Sequence, residues 1–143
     1  MTQVTFYSLP ADDLDGQQLA CQLAADLYGD KIKASVWCKD ITQAHAFDEL
    51  LWQAPIDRFI PHNLKGEGPV NGAPVEVCWL ESDVRVRQSV IALSGSTLSE
   101  PQRFNHIIDF VPAQEAAKQA ARERYKYYQR AGCAMQFAQP PGA

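Results

Sequence analysis

Apolar and polar positions follow two different periods along this chain. Residues 4–9 read Val-Thr-Phe-Tyr-Ser-Leu, a β-branched and aromatic run that predicts a first strand, ended by Pro10. The period then lengthens. Leu19, Leu23, Ala24 and Leu27 share one stripe at helical spacing and predict a helix over residues 13–28, with Gly29 suited to the left-handed position after its end. Residues 34–38 predict a second strand. Asp40 with Gln43 resembles a capping box and opens a helix over 41–53. Ala44, Phe47, Leu50 and Leu51 form its apolar face, and Pro55 forbids its continuation. Residues 59–74 form a Pro/Gly-punctuated loop with no predicted structure of its own. Three further strands are expected over 75–79, 88–93 and 105–111, the last halted by Pro112. A final helix is expected over 113–131, stopped by Gly132, and residues from about 134 to 143 read as a frayed tail.

Strand and helix alternate early, and the strands are short apolar runs. This pattern predicts an α/β fold: a three-layer α/β/α sandwich with a largely parallel central sheet, Rossmann-like in outline. The 143 residues are expected to form a single domain, without internal repeats.

Composition narrows the function more than the fold. The chain is 46% hydrophobic and 21% charged, with a net charge of -4 and a pI near 5.3. Bulk binding to nucleic acid or anionic membrane needs concentrated Lys and Arg, so any nucleic-acid role is expected to be indirect or confined to a local patch. No apolar run approaches the roughly 20 residues of a membrane helix. The first residues lack a basic start and apolar stretch, so a cytoplasmic address is expected. The cysteines, Cys21, Cys38, Cys78 and Cys133, include no Cys-x-x-Cys pair. Neither a disulfide nor a zinc site is expected, and Cys21, Cys38 and Cys78 read as small buried hydrophobes.

An α/β chain invites a nucleotide hypothesis. No P-loop motif is present. Gly66-Glu67-Gly68 supplies the first two glycines of a dinucleotide fingerprint, but Asn71 stands where the third belongs. Pro69 and Pro74 then lead into a strand rather than a helix. Glycines that shape a loop are the plainer reading. His45, His62 and His106 lack metal-ligand spacing. His62 fits a loop-capping hydrogen bond better than a catalytic base, and the adjacent Asp48 and Glu49 read as a solvated helix face. No catalytic constellation, cofactor site or metal site is expected.

Two candidate binding surfaces remain. On the last helix, Lys118, Arg122 and Tyr125 follow i, i+4, i+7 spacing and share a face, while Ala117, Ala121, Tyr128 and Ala131 fit the sheet side. Arg124 falls near that apolar side and must pair or snorkel. A solvated basic helix is the simpler reading. The functional reading is a pocket for an acidic peptide with an apolar end, because Arg offers a fork, Lys a point charge and Tyr an apolar wall. The second surface gathers Trp52, Phe59, Ile60 and Leu64 at the end of the second helix and the loop. Trp52 turns off the main apolar stripe and so tilts toward the surface; Phe59 divides evenly between core and interface.

At these residues the sequence resembles the chi subunit of bacterial DNA polymerase III holoenzyme. The matching phrases are Thr5-Phe-Tyr7, Asp48-Glu-Leu-Leu-Trp52, Phe59-Ile-Pro-His-Asn-Leu64, Gly66-Glu-Gly-Pro69, Gly72-Ala-Pro-Val-Glu76, Asp109-Phe-Val-Pro112 and Ala121-Arg-Glu-Arg-Tyr-Lys126. The resemblance implies a non-catalytic accessory subunit of the clamp-loader complex within the nucleoid-associated replication machinery. It implies two partners, the psi subunit and the acidic C-terminal tail of single-stranded DNA-binding protein, with DNA reached only indirectly. It assigns the tail contact to Lys118 and Arg122, with Tyr125 beside them, and the psi contact to Trp52 and Phe59. Residues 81–100 and the tail after 132 match poorly and carry no transferred contacts. A nucleotide-binding α/β enzyme using the Gly66-Glu67-Gly68 loop stays open as the alternative.

Overall fold

The computed structural model describes residues 1–53 and 59–140. Three helices and seven strands build it: β1 (Gln3–Ser8), α1 (Gln17–Gly29), β2 (Ala34–Trp37), α2 (Ile41–Trp52), β3 (His62–Leu64), β4 (Val75–Cys78), β5 (Ser89–Ala92), β6 (His106–Val111), α3 (Glu115–Arg130) and β7 (Ala134–Ala138). The sheet order is β3-β4-β2-β5-β6-β1-β7, and each pairing in it is parallel. The expected largely parallel sheet is therefore parallel throughout the described residues.

The period-2 alternation of the strands assigns their two faces. Val36, Val75, Val77, Ile91, Ile108 and Phe110 pack under α1 and α2, with Leu19, Leu23, Phe47 and Leu51. On the opposite face, Val4, Phe6, Trp37, Val90, Ala92 and Ile107 pack against Ala121 and Tyr128 of α3. Two helices on one face and one on the other make the α/β/α sandwich.

Helix boundaries follow their caps. Asp40 caps α2 as its pattern predicts: its side chain accepts from Gln43 N at 2.8 Å, and Gln43 Oε1 accepts from Lys39 N at 2.7 Å. Pro55 lies outside the described residues. α1 begins at Gln17 rather than at residue 13, because the chain turns through Gly16 at φ 85. Asp13 stays outside the helix and accepts from Gln18 N and Leu19 N of its first turn. Gly29 is the last residue of α1 and does not take the left-handed conformation; Lys31 does, at φ 62. Gly132, at φ 87, stops α3 as expected.

Two elements escape the sequence pattern. The 59–74 segment holds β3, three residues paired with β4. Residues 134–138 are not frayed but form β7, which pairs with β1 from Gln3↔Ala134 to Tyr7↔Ala138.

Candidate functional site

A groove of about 460 Å³ opens at the carboxyl ends of β1 and β6, beside α3. That is the strand-end position where open α/β sheets place ligands. Lys118, Arg122 and Tyr125 all line it, so the stripe read from spacing does converge on one concavity. Phe6 lies beneath, with its ring centroid 5.4 Å from that of Tyr125. Phe137 of β7 forms a further wall and is 55% exposed. Among the described residues no carboxylate pairs with Lys118 or Arg122; Arg122 Nη1 donates only to Gln119 Oε1, at 3.2 Å. The groove thus combines two uncommitted cations with an aromatic floor and wall. Phe137 was hidden by the expectation of a frayed tail. The available signal was Cys133, Met135 and Phe137, apolar at every second position.

What holds this face in place is a buried ion pair. Arg124 stands on the sheet side of α3, and its Nε and Nη2 donate to Asp109 of β6 at 2.9 and 3.2 Å. The same guanidinium donates to Phe110 O at 3.1 Å, and Asp109 Oδ1 also accepts from Phe110 N at 2.7 Å. Burial pushes the Asp109 carboxyl up, while the guanidinium and the Phe110 N–H pull it back toward ionisation. Of the two outcomes open to Arg124, pairing is realised. Tyr128 pins α3 on the same side, its hydroxyl accepting from Leu98 N at 2.9 Å.

The aromatic surface forms at the other edge of the sheet. Trp52, at the end of α2, is 59% exposed, and Phe59 is 57% exposed, their ring centroids 6.0 Å apart. Phe59, divided evenly on sequence, is on the surface. Ile60 and Leu64 are not part of this surface: both are buried in the core under α2. His62 makes the loop hydrogen bond expected of it and, beyond that expectation, supports Trp52. Its ring meets Trp52 edge-on at 4.7 Å, its Nδ1 lies 2.7 Å from Ile60 O, and its Nε2 lies 3.1 Å from Asp48 Oδ1. A carbonyl only accepts, so Nδ1 carries a proton there. Asp48, read as solvated, is instead a partner in this arrangement.

The two surfaces are far apart. One sits beside β3 and the other at the ends of β6 and β1, four to five strand spacings away, or roughly 19–24 Å at about 4.8 Å per strand. They also belong to helices on opposite faces of the sheet.

The Gly66-Glu67-Gly68 segment joins two strands, with no helix N-terminus beside it. A Cβ on Gly68 would lie 2.2 Å from Asn63 Cγ, and Gly66 takes φ 94. These glycines give the loop its path. The first turn of α1, where a phosphate would sit in a nucleotide-binding α/β fold, has its backbone donors occupied by Asp13.

Comparison with known proteins places the chain. The family model described as DNA polymerase III chi subunit, HolC, matches residues 1–136. The DNA polymerase III subunit chi of Escherichia coli is 41% identical over 138 residues, covering 92% of this chain and 94% of that one. The protein of the same name from Haemophilus influenzae is 38% identical, covering 85% of each chain. The one from Pseudomonas aeruginosa is 30% identical, covering 95% of each. Among solved structures, T4 UvsW shares the fold with a TM-score of 0.69 at 11% identity; the match spans 96% of this chain and 42% of that one. The groove-lining Lys118, Arg122 and Tyr125 and the aromatic pair Trp52 and Phe59 all lie within the matched span, and with a match over nearly its whole length the chain belongs to the DNA polymerase III chi subunit family.

Proposed function

We propose that this replication accessory subunit is a non-catalytic adaptor of the clamp-loader complex. It holds the psi subunit through Trp52 and Phe59 and the acidic C-terminal tail of single-stranded DNA-binding protein through Lys118, Arg122 and Tyr125. The observation that carries this reading is the convergence on one groove of three aromatic rings and two cations with no carboxylate partner among the described residues. That chemistry suits a peptide with acidic side chains and an apolar end: the cations take the carboxylates, and Phe6, Tyr125 and Phe137 take the apolar group. The exposed Trp52–Phe59 pair supports the second contact, because aromatic anchors on a rigid edge are typical hot spots. The wide separation of the surfaces supports simultaneous use.

The test is a titration of labelled acidic tail peptide and of psi against two variants. Losing a hydrogen bond to a charged partner costs about 1.5–3 kcal/mol, so Arg122→Ala is expected to weaken tail binding by about 10- to 150-fold and to leave psi binding unchanged. Trp52→Ala is expected to do the reverse. Equal losses in both assays would overturn the two-surface reading. A nucleotide-binding function has no support of this kind, since the glycine loop and the α1 N-terminus serve the fold itself.

A further inference from the structure

A second concentration of positive charge lies at the opposite end of the sheet. Lys33, Arg85, Arg87 and Arg103 line one groove of about 640 Å³, whose lining includes no carboxylate among the described residues. Four of the chain's 13 Lys and Arg residues thus meet in one place, in a chain of net charge -4. Lys33, Gln88 and Asn105 immediately precede β2, β5 and β6, which are neighbours in the sheet. The groove therefore crosses the amino ends of three strands. The tail groove is at the carboxyl end of β6, about 20 Å away over the six residues of that strand.

Two of the four cations are fixed in advance. Arg85 donates from Nε to Glu76 Oε1 at 2.8 Å and from Nη2 to Val70 O at 2.9 Å. Arg87 donates from Nη1 to Ala73 O at 2.7 Å and from Nη2 to Asn71 O at 2.8 Å. Immobilised guanidinium groups lose little further entropy when they bind an anion. Lys33 and Arg103 are exposed and form no ion pair among the described residues. Glu76 offsets one of the four charges and leaves three.

The lining also identifies the ligand. The tail groove has aromatic walls for an apolar group, whereas among the described residues this one has none, and its apolar side chain there is Val86 alone. It offers cations and the side-chain amides of Asn71, Gln88 and Asn105. Such a surface reads anionic oxygen spaced along a chain, with neither a ring for base stacking nor a pocket for an apolar side chain. We infer that this groove binds the phosphodiester backbone of a nucleic acid, weakly and without regard to sequence. It is the local patch through which an acidic chain can touch nucleic acid directly.

Fluorescence anisotropy of the full chain with a labelled oligothymidylate and with a duplex of equal length tests this. Three to four phosphate contacts to a single strand predict a salt slope of about -2 to -3, so affinity should fall about 20- to 50-fold between 50 and 200 mM salt. Lys33→Glu and Arg103→Glu, at exposed positions, should each weaken binding at least about fivefold with unchanged thermal melting. Arg122→Ala should leave it unchanged. Equal binding of single strand and duplex, with the same variant losses, supports the backbone contact and makes either form an acceptable source. No saturable binding at 50 mM salt overturns the inference. So does loss of binding in Arg122→Ala but not in Lys33→Glu, or stronger competition by polyaspartate than by unlabelled oligonucleotide.

Discussion

Replacing Arg124 with alanine is the sharpest test of how α3 is held. Asp109 is 1% exposed and accepts two hydrogen bonds from the guanidinium and one from Phe110 N. After Arg124→Ala the carboxyl keeps only the backbone donor, in surroundings that already push it toward the neutral acid. The carbonyl of Phe110 loses its side-chain donor as well. Breaking a buried pair in this way costs about 3–5 kcal/mol, a large share of the about 5–15 kcal/mol that stabilises a domain. At about 2.1 cal/mol/K per residue, 143 residues give an unfolding entropy near 0.3 kcal/mol/K, so Tm should fall by about 10–17 °C. Differential scanning calorimetry measures this directly. Because the cost arises from an orphaned charge rather than from lost attraction, Asp109→Leu combined with Arg124→Met should recover most of the loss. A drop below about 3 °C for Arg124→Ala, or a double variant no more stable than the single one, would show that the Arg124–Asp109 pair is not what holds α3.

Three further perturbations probe the core, the loop and the end of α1. Burial pushes the Cys78 thiol up to about 12, with the charges of Asp83 and Glu76 adding to the rise and Lys65 opposing it. The pKa is raised in the folded state, so this stability is fully present below the unfolded thiol's pKa of about 8.5 and is lost as pH rises toward 12, at about 1.4 kcal/mol per pH unit. Urea denaturation between pH 8 and 11 should show a shallower decline for Cys78→Ala than for the parent; identical slopes would contradict the assignment. In the loop, Gly68→Ala drives a Cβ into Asn63, which is held by bonds to Leu64 O, Glu76 Oε2 and Ala73 N, and should destabilise by about 1–3 kcal/mol. Gly29→Ala, with nothing within 4 Å and ordinary backbone geometry, should instead stabilise by about 0.4–1 kcal/mol, and thermal melts of the pair compare the two directly.

What the sequence discloses depends on how local the cause is. The short apolar runs that became β1, β2, β4, β5 and β6, and the Asp40–Gln43 cap of α2, are written in adjacent residues, and the structure places them within a few positions. β3 was not legible, because three residues, His62–Leu64, have no period of their own; their conformation comes from pairing with β4. β7 was obscured in the same way, as its pairing partner β1 lies more than a hundred residues earlier. With β7 went Phe137, the groove wall it supplies. The convergence of Lys118, Arg122 and Tyr125 was legible because all three stand on one helix face. Arg124 could be marked as needing a partner, but only the fold brings Asp109 beneath it. The basic groove at the other end was hidden because its cations come from three separate segments that meet only at the strand starts.

The proposed adaptor role requires that the two candidate docking surfaces act independently. Analytical ultracentrifugation with a fluorescently labelled tail peptide, with and without saturating psi, measures that independence. Peptide, chain and psi should sediment together in equal proportion, and psi should change the peptide Kd by less than about twofold, a coupling near zero. Displacement of the peptide by psi would contradict the adaptor role.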